Sequence, residues 1–316
     1  MEPVRRAVID VGTNSVKLLV ADVAADDVRP VREESKQTRL GHGLYVARRL
    51  QAEAIADTAR AVAAFAETAR GLQATSIRVV ATSAAREALN APELTKAITE
   101  TAGLEVEIIS GEQEAVWGFQ GVSSDPQLAH LPLLLVDVGG GSTQVSLGQE
   151  GLLRFSSSFQ IGSVRLLEKF PPADPPGAGE LAACRKWLGE FLHREVRPRL
   201  GPALKGQFAH GVQAVGVGGT ASILGRMESR LESFDRDRLE ATRLSAARVS
   251  WHVERLWSMG LAQRREVVGL PRNRADVILM GTAIYEGLMA EFSLAELRIS
   301  TRGLRFAAVM KANAVA

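Results

Sequence analysis

Two segments of the chain open in the same way. "AVIDVGTNSVKLLV" begins at Ala7 and "LLLVDVGGGSTQVSLG" begins at Leu133. In each, an apolar alternating run ends on an aspartate, crosses a short loop of glycine with hydroxyl or amide residues, and resumes as a second alternating run. Alternation is the signature of a half-buried strand. A hairpin needs only one or two residues with unusual backbone angles. Three consecutive glycines, Gly139, Gly140 and Gly141, exceed that need. A glycine loop lets backbone N–H groups converge on one anion with no Cβ in the way. For one loop, a tight hairpin with glycines for turn geometry is an equal alternative. Two matched loops in a repeated frame favour phosphate. Duplicated halves are expected to face each other across a cleft, where ligands commonly bind.

The bulk numbers agree with a conventional globular chain. At 316 residues the length exceeds one comfortable core, so two domains are expected. The boundary is expected in the polar, proline-bearing stretch from Ser123 to Pro132, giving domains 1–125 and 126–316, with the final helix packing back on the first domain. The 38 basic and 36 acidic residues nearly cancel, to a net charge of +2, so there is no electrostatic case for a nucleic acid polymer or a membrane surface. No apolar run is long enough for a spanning helix. A single cysteine, Cys184, rules out an internal disulfide and points to a reducing cytoplasm.

Periodicity predicts a three-stranded meander first, then an alanine-rich helix over "LQAEAIADTARAVAAFAETARGL" that Gly71 ends. A strand at "SIRVVATSA", a helical stretch interrupted at Ala91-Pro92, a strand at "LEVEIISG" and a helix from "GEQEAVWGF" follow. The strand, glycine loop and strand then restart. "GVQAVGVGGTASILG" reads as strand, turn and helix. The remainder reads as helical apart from a short strand at "LRIST".

Some residues suit phosphate chemistry. Thr13, Ser15, Ser142 and Thr143 offer hydroxyls, and Asn14 an amide. Asp10 and Asp137 beside a phosphate make sense with a divalent cation between. The loops are not Walker loops, because no lysine follows the glycines in that pattern, and a strand rather than a helix follows each. Glu112 and Glu114 open a helix, where acids are favoured in any case. The five histidines, His42, His130, His193, His210 and His252, show no metal-ligand spacing. Cys184 reads as a buried inert thiol, and the scattered tryptophans as core or interface.

"IDVGTNSVKLLV" and "VDVGGGST" resemble the two phosphate motifs of the actin, sugar-kinase and Hsp70 superfamily. Within it, the chain resembles the exopolyphosphatase and guanosine pentaphosphate phosphohydrolase (Ppx/GppA) family. Further matching stretches are "RLGHGL", "ATSAAREALN", "EIISGEQEA", "QIGSVRLLEKF", "AVGVGGTAS", "LPRNRADVILMG" and "STRGLR". The resemblance implies an α/β fold of two actin-like (ribonuclease H-like) domains with a cleft between them, in the short form without C-terminal helical domains. It implies hydrolysis of a terminal phosphate from inorganic polyphosphate, or from guanosine pentaphosphate, with Mg2+. It makes Glu114 the catalytic carboxylate. It assigns phosphate contacts to Asp10, Gly12, Thr13, Asn14, Ser15, Lys17, Arg86, Gly139, Gly140, Gly141, Ser142, Thr143, Gly218, Gly219 and Thr220, with Arg39 a weaker candidate. Asp137 and Glu114 would hold the metal. Arg302 and Arg305 would be contributors to a basic path for a long substrate, or simply structural pairs. A homodimer is compatible with the sequence.

One position departs from the family pattern. Gln144 stands where the family carries a glutamate counted among the catalytic residues. A glutamine exchanges hydrogen bonds but takes no proton. Either Glu114 suffices while Gln144 orients the water, or the protein is a weakly catalytic binder of polyphosphate or nucleotide. The other matching motifs favour retained activity.

Overall fold

The computed structural model describes residues 2–25, 27–209 and 211–311. Its strands are β1 (Val4–Val11), β2 (Ser15–Ala24), β3 (Asp27–Gln37), β4 (Ser76–Ala81), β5 (Val106–Ile108), β6 (Leu133–Val138), β7 (Thr143–Gln149), β8 (Leu152–Phe159), β9 (Gln213–Val217), β10 (Arg243–Ser245) and β11 (Glu296–Ile299). They form two sheets, ordered β3-β2-β1-β4-β5 and β10-β11-β9-β6-β7-β8. Read from β8, the second sheet repeats the first. Each has an antiparallel three-strand meander whose first strand then pairs in parallel with the strand after a helical crossover.

The chain divides into two compact units. One comprises residues up to Pro126 together with those from Arg302 onward, and the other spans Gln127–Thr301. In the first unit the period-2 alternation of β1 sorts its side chains onto opposite faces. Ala7, Ile9 and Val11 join the core beneath the helices Ala52–Gly71 and Ala91–Ala102. Val8 joins Trp117, Leu304, Phe306 and Val309 on the other face, beneath the helices Gly111–Ser123 and Leu304–Met310. The last helix ends on arginines from the sheet. Arg6 donates to the Met310 carbonyl at 2.9 Å and Arg78 to the Ala308 carbonyl at 3.4 Å. Such cations suit the exposed carbonyls of a helix C-terminus. The second unit has one continuous core that includes Cys184, Trp257 and Tyr285.

Three local expectations are corrected. The helical break lies at Ala88–Asn90 rather than at Ala91-Pro92, and Pro92 occupies the first turn of the next helix. Proline is tolerated there because its missing N–H would be unpaired anyway. The break is held by Asn90, whose side chain accepts from the Leu50 N–H at 2.8 Å and donates to the Leu50 carbonyl at 3.1 Å. The helix Ala52–Gly71 does end at Gly71, as expected, and the left-handed turn after it falls on Gln73 with φ 61°. The short strand β10 carries too few residues for periodicity to reveal it. Trp251 is not core: the residue is 43% exposed, with Arg248 and Arg255 stacked on its ring.

Candidate phosphate-binding loops and catalytic carboxylate

The two hairpins are equivalent residue by residue. Asp10 faces Lys17 and Val11 faces Val16 across β1 and β2. Asp137 faces Gln144 and Val138 faces Thr143 across β6 and β7. The Gly12 N–H donates to the Ser15 carbonyl at 3.0 Å, and the Gly139 N–H to the Ser142 carbonyl at 3.0 Å. Gly12 therefore corresponds to Gly139, Ser15 to Ser142, and Lys17 to Gln144.

Each loop has its carbonyls drawn backward by a neighbouring segment. In the first unit, the Gly41 N–H donates to Thr13 O at 2.7 Å, and the Thr38 and Arg39 N–H groups donate to Asn14 O at 3.2 and 3.1 Å. In the second, the start of helix Ser163–Lys169 performs this task. The Ser163 N–H donates to Gly139 O at 2.9 Å, and those of Val164 and Arg165 to Gly140 O at 2.8 and 3.1 Å. The Arg165 Nε–H donates to Gly141 O at 2.7 Å. A loop whose carbonyls are occupied keeps its N–H groups for an anion. Gly162 permits this packing, because a Cβ there would collide with the backbone of Gly140 and Gly141.

In the first unit, three loops meet at the carboxyl ends of parallel β1, β4 and β5, the usual ligand edge of such sheets. The Thr82 N–H donates to Val11 O at 3.2 Å and the Ile109 N–H to Ala81 O at 3.0 Å. Arg86, in helix Ser83–Glu87, donates to Ile109 O at 2.8 Å and to Glu114 at 3.3 and 3.4 Å. Glu114 lies in the first turn of helix Gly111–Ser123, whose N-cap Ser110 accepts from the Gln113 N–H at 3.1 Å. Its carboxylate is mostly buried, with 13% of the side chain exposed, whereas Glu112 is exposed. Thr13, Asn14 and Ser15 are buried in the loop, and Asn14 accepts from Gln37 at 3.0 Å while its own amide nitrogen has no partner. Burial pushes the Asp10 carboxyl above the ordinary range, against the opposing pull of Lys17 and Arg305.

In the second unit, β9 runs directly into helix Gly218–Glu228. Gly218 has φ +81°, and a Cβ there would strike the Asp137 carboxylate, so glycine lets the helix start against Asp137. Thr220 donates to Val138 O at 3.1 Å and Thr143 donates to Ile161 O at 2.7 Å. Both hydroxyls are committed inward, which leaves only the backbone of these two residues for a ligand. Gln144 is buried, and its amide donates to Ser142 Oγ at 2.8 Å and to Ser158 Oγ at 3.0 Å. Tyr285 donates to Val136 O and Val217 O beneath the loop, and burial holds its phenol well above the usual range.

A family model described as the Ppx/GppA phosphatase family matches residues 19–311. The chain belongs to the Ppx/GppA phosphatase family. It is 34% identical over 297 residues to a Mycobacterium tuberculosis protein named Exopolyphosphatase 2, spanning 91% of this chain and 90% of the relative. Among solved structures, the Ppx/GppA family member of Aquifex aeolicus is 26% identical with a TM-score of 0.78, covering 98% of this chain and 97% of its own. The fold of a Cytophaga hutchinsonii exopolyphosphatase matches with a TM-score of 0.85 at 24% identity, covering 96% of each chain. The two-unit actin-like architecture of the Ppx/GppA proteins is therefore the fold of this chain, and the chain is a hydrolase of phosphoanhydride bonds.

Arg302 donates to Ser124 O at 3.3 Å, and Arg305 to Leu18 O at 2.6 Å and Glu33 at 3.1 Å, so both take part in structural pairing within the first unit. Arg39 contributes its backbone N–H to the loop while its side chain is exposed. Among the described residues no group of three or more His, Cys, Asp or Glu side chains gathers as a metal cluster, and His210 lies outside them. No described helix is long and apolar enough to cross a membrane. The clamp residues Gly162 and Arg165 were not singled out by sequence reasoning. Their signal was a glycine just before a helix start, within "QIGSVRLLEKF".

Proposed function

We propose that the chain is an exopolyphosphatase, releasing terminal orthophosphate from inorganic polyphosphate by attack of water. The observation that carries this reading is the matched pair of hairpins with occupied carbonyls, leaving N–H groups and hydroxyls for an acceptor-rich anion. Thr13, Asn14, Ser15, Lys17 and Arg86 would bind phosphate in the first unit, with Gly12 shaping the loop through its N–H bond to the Ser15 carbonyl. Gly140, Gly141, Ser142, Thr143, Gly218, Gly219 and Thr220 would do so in the second, with Gly139 shaping the loop through its N–H bond to the Ser142 carbonyl.

Glu114 is the group we assign to the attacking water. Its carboxylate accepts the water proton as the new P–O bond forms and the bond to the bridging oxygen breaks, expelling the shortened chain. Arg86 fixes the orientation of that carboxylate. Magnesium binds through one or two carboxylates together with substrate oxygens and water. Single carboxylates such as Asp137 and Glu114 fit that donor pattern, and the ion would neutralise charge on the transferring phosphoryl group. The lone buried thiol supports a cytoplasmic setting.

The test is phosphate release from long-chain polyphosphate with Mg2+, by the wild-type protein and by Glu114→Gln. Loss of a positioned general base should lower kcat by about 10²- to 10⁴-fold. Wild-type protein without release, or a variant with undiminished release, refutes the assignment. Guanosine pentaphosphate presents the same chemistry and is the second substrate to measure beside it, and a mass measurement in solution reads whether the enzyme is a homodimer.

A further inference from the structure

Gln144 has a consequence that its family substitution alone does not reveal. Its amide nitrogen faces two serine hydroxyls, and an amide nitrogen only donates. Ser142 Oγ and Ser158 Oγ therefore both accept, at 2.8 and 3.0 Å. With its oxygen serving as acceptor, the Ser142 hydroxyl must aim its own proton elsewhere, and among the described residues no side chain or carbonyl takes it. The Gln144 oxygen is buried without a partner. A carboxylate at this seat would do the reverse. It has no proton to give, so it would accept from both serines and turn their protons inward.

We propose that Gln144 is a positioning residue that sets the polarity of the second loop: it forces Ser142 to present its proton to the bound anion, and so selects an acceptor-only, fully ionised phosphoryl group. The equivalent seat in the first hairpin also holds a donor, since Lys17 stands there and an ammonium is a donor only. Two loops of common architecture thus place a donor two residues after the loop serine. The inference rests on the phosphate-binding role proposed above and goes beyond it, because it assigns Gln144 neither a proton nor the attacking water.

The experiment measures binding of sodium tripolyphosphate by calorimetry, and polyphosphate turnover, for wild type, Gln144→Glu, Ser142→Ala and the double variant. At pH 8, Q144E should bind about 10-fold more weakly or worse, the scale of one hydrogen bond to a charged group, with KM rising more than kcat falls and with melting preserved. On the S142A background, Q144E should cost much less than on wild type, because the hydroxyl it reorients is gone.

Equal affinity of Q144E and wild type at pH 8 overturns the proposal. So do additive penalties in the double variant, or a Q144E enzyme with higher kcat and unchanged KM. If Q144E does not fold, Gln144→Met takes its place. It removes the donor without adding an acceptor and should weaken binding by about 3-fold, a fraction of one charged hydrogen bond, with no change overturning the proposal. Wild-type protein that binds tripolyphosphate but releases no phosphate refutes the enzymatic reading, and leaves the polarity comparison readable through binding. Wild-type protein that binds none refutes both.

Discussion

Gly162→Ala tests whether the clamp behind the second loop controls anion binding. A Cβ at residue 162 would lie 2.6 Å from the Gly141 carbonyl carbon and closer still to the Gly140 carbonyl. Both are backbone groups and cannot swing away as a side chain would. Relief requires the loop and the start of helix Ser163–Lys169 to part by about an ångström, given ordinary carbon contacts of about 3.5 Å. That movement stretches four hydrogen bonds, three from the N–H groups of Ser163, Val164 and Arg165 and one from the Arg165 side chain. At about 1 kcal/mol net for each bond, the cost is about 2–4 kcal/mol. For a unit of this size that lowers the melting temperature by about 5–15 °C. The freed carbonyls would then turn toward the anion, so KM for polyphosphate should rise more than kcat falls. Calorimetric melting and phosphate-release kinetics read both effects. Gly179→Ala is the control: nothing lies within 4 Å of its Cβ and it sits in helix Ala178–Phe191, so it should gain about 0.5–1 kcal/mol. A Gly162→Ala protein with wild-type melting and KM would refute the clamp.

Other outcomes follow from the buried titratable groups. Asp10 has a folded pKa above its unfolded value, so the unfolded chain loses this proton first and stability falls as pH rises through the carboxylate range. Asp10→Asn should therefore be the more stable protein at pH 7, with the advantage vanishing near pH 3 in denaturant titrations. His252 is the opposite case, a buried imidazole held below its ordinary value by desolvation and by Arg248 and Arg255, against the pull of Glu228. Its unfolded form takes a proton first, so it contributes stability in full above about pH 6.5, and loses it as pH falls through the lowered folded value. Urea midpoints measured between pH 7.5 and 5.5 should show that decline, and His252→Leu should flatten it. Burial pushes the Cys184 thiol up to about 12, so a thiol reagent at pH 8 should label it only at the rate of unfolding.

The hairpins were legible because glycine loops and alternating strands are local signals. The equivalence of Gly12 with Gly139 and of Ser15 with Ser142 could be read by laying "DVGTNS" over "DVGGGS". What local sequence could not carry were the partners of those loops. Arg165 and the Thr38–Gly41 segment hold carbonyls more than twenty residues away, and no periodicity encodes that contact. The inward commitment of Thr143 and Thr220 escaped for the same reason, since a hydroxyl in the sequence does not say which way it donates. Asn90 displaced the helical break because its side chain captures the Leu50 backbone forty positions earlier. The family motifs compensated for part of this, by singling out Arg86 and Glu114 before their contact was known.

The first unit is discontinuous, and this orders its birth. Leu304, Phe306 and Val309 close the face of its sheet that holds Val8 and Trp117. During synthesis, nearly the whole second unit leaves the ribosome before those side chains exist. The earlier half must wait with an apolar surface open, while the later half can complete its own core. A chain halted just short of Leu304 would thus leave a finished second unit tethered to an unfinished first one, and a holding chaperone would be expected to bind the end that was translated earliest.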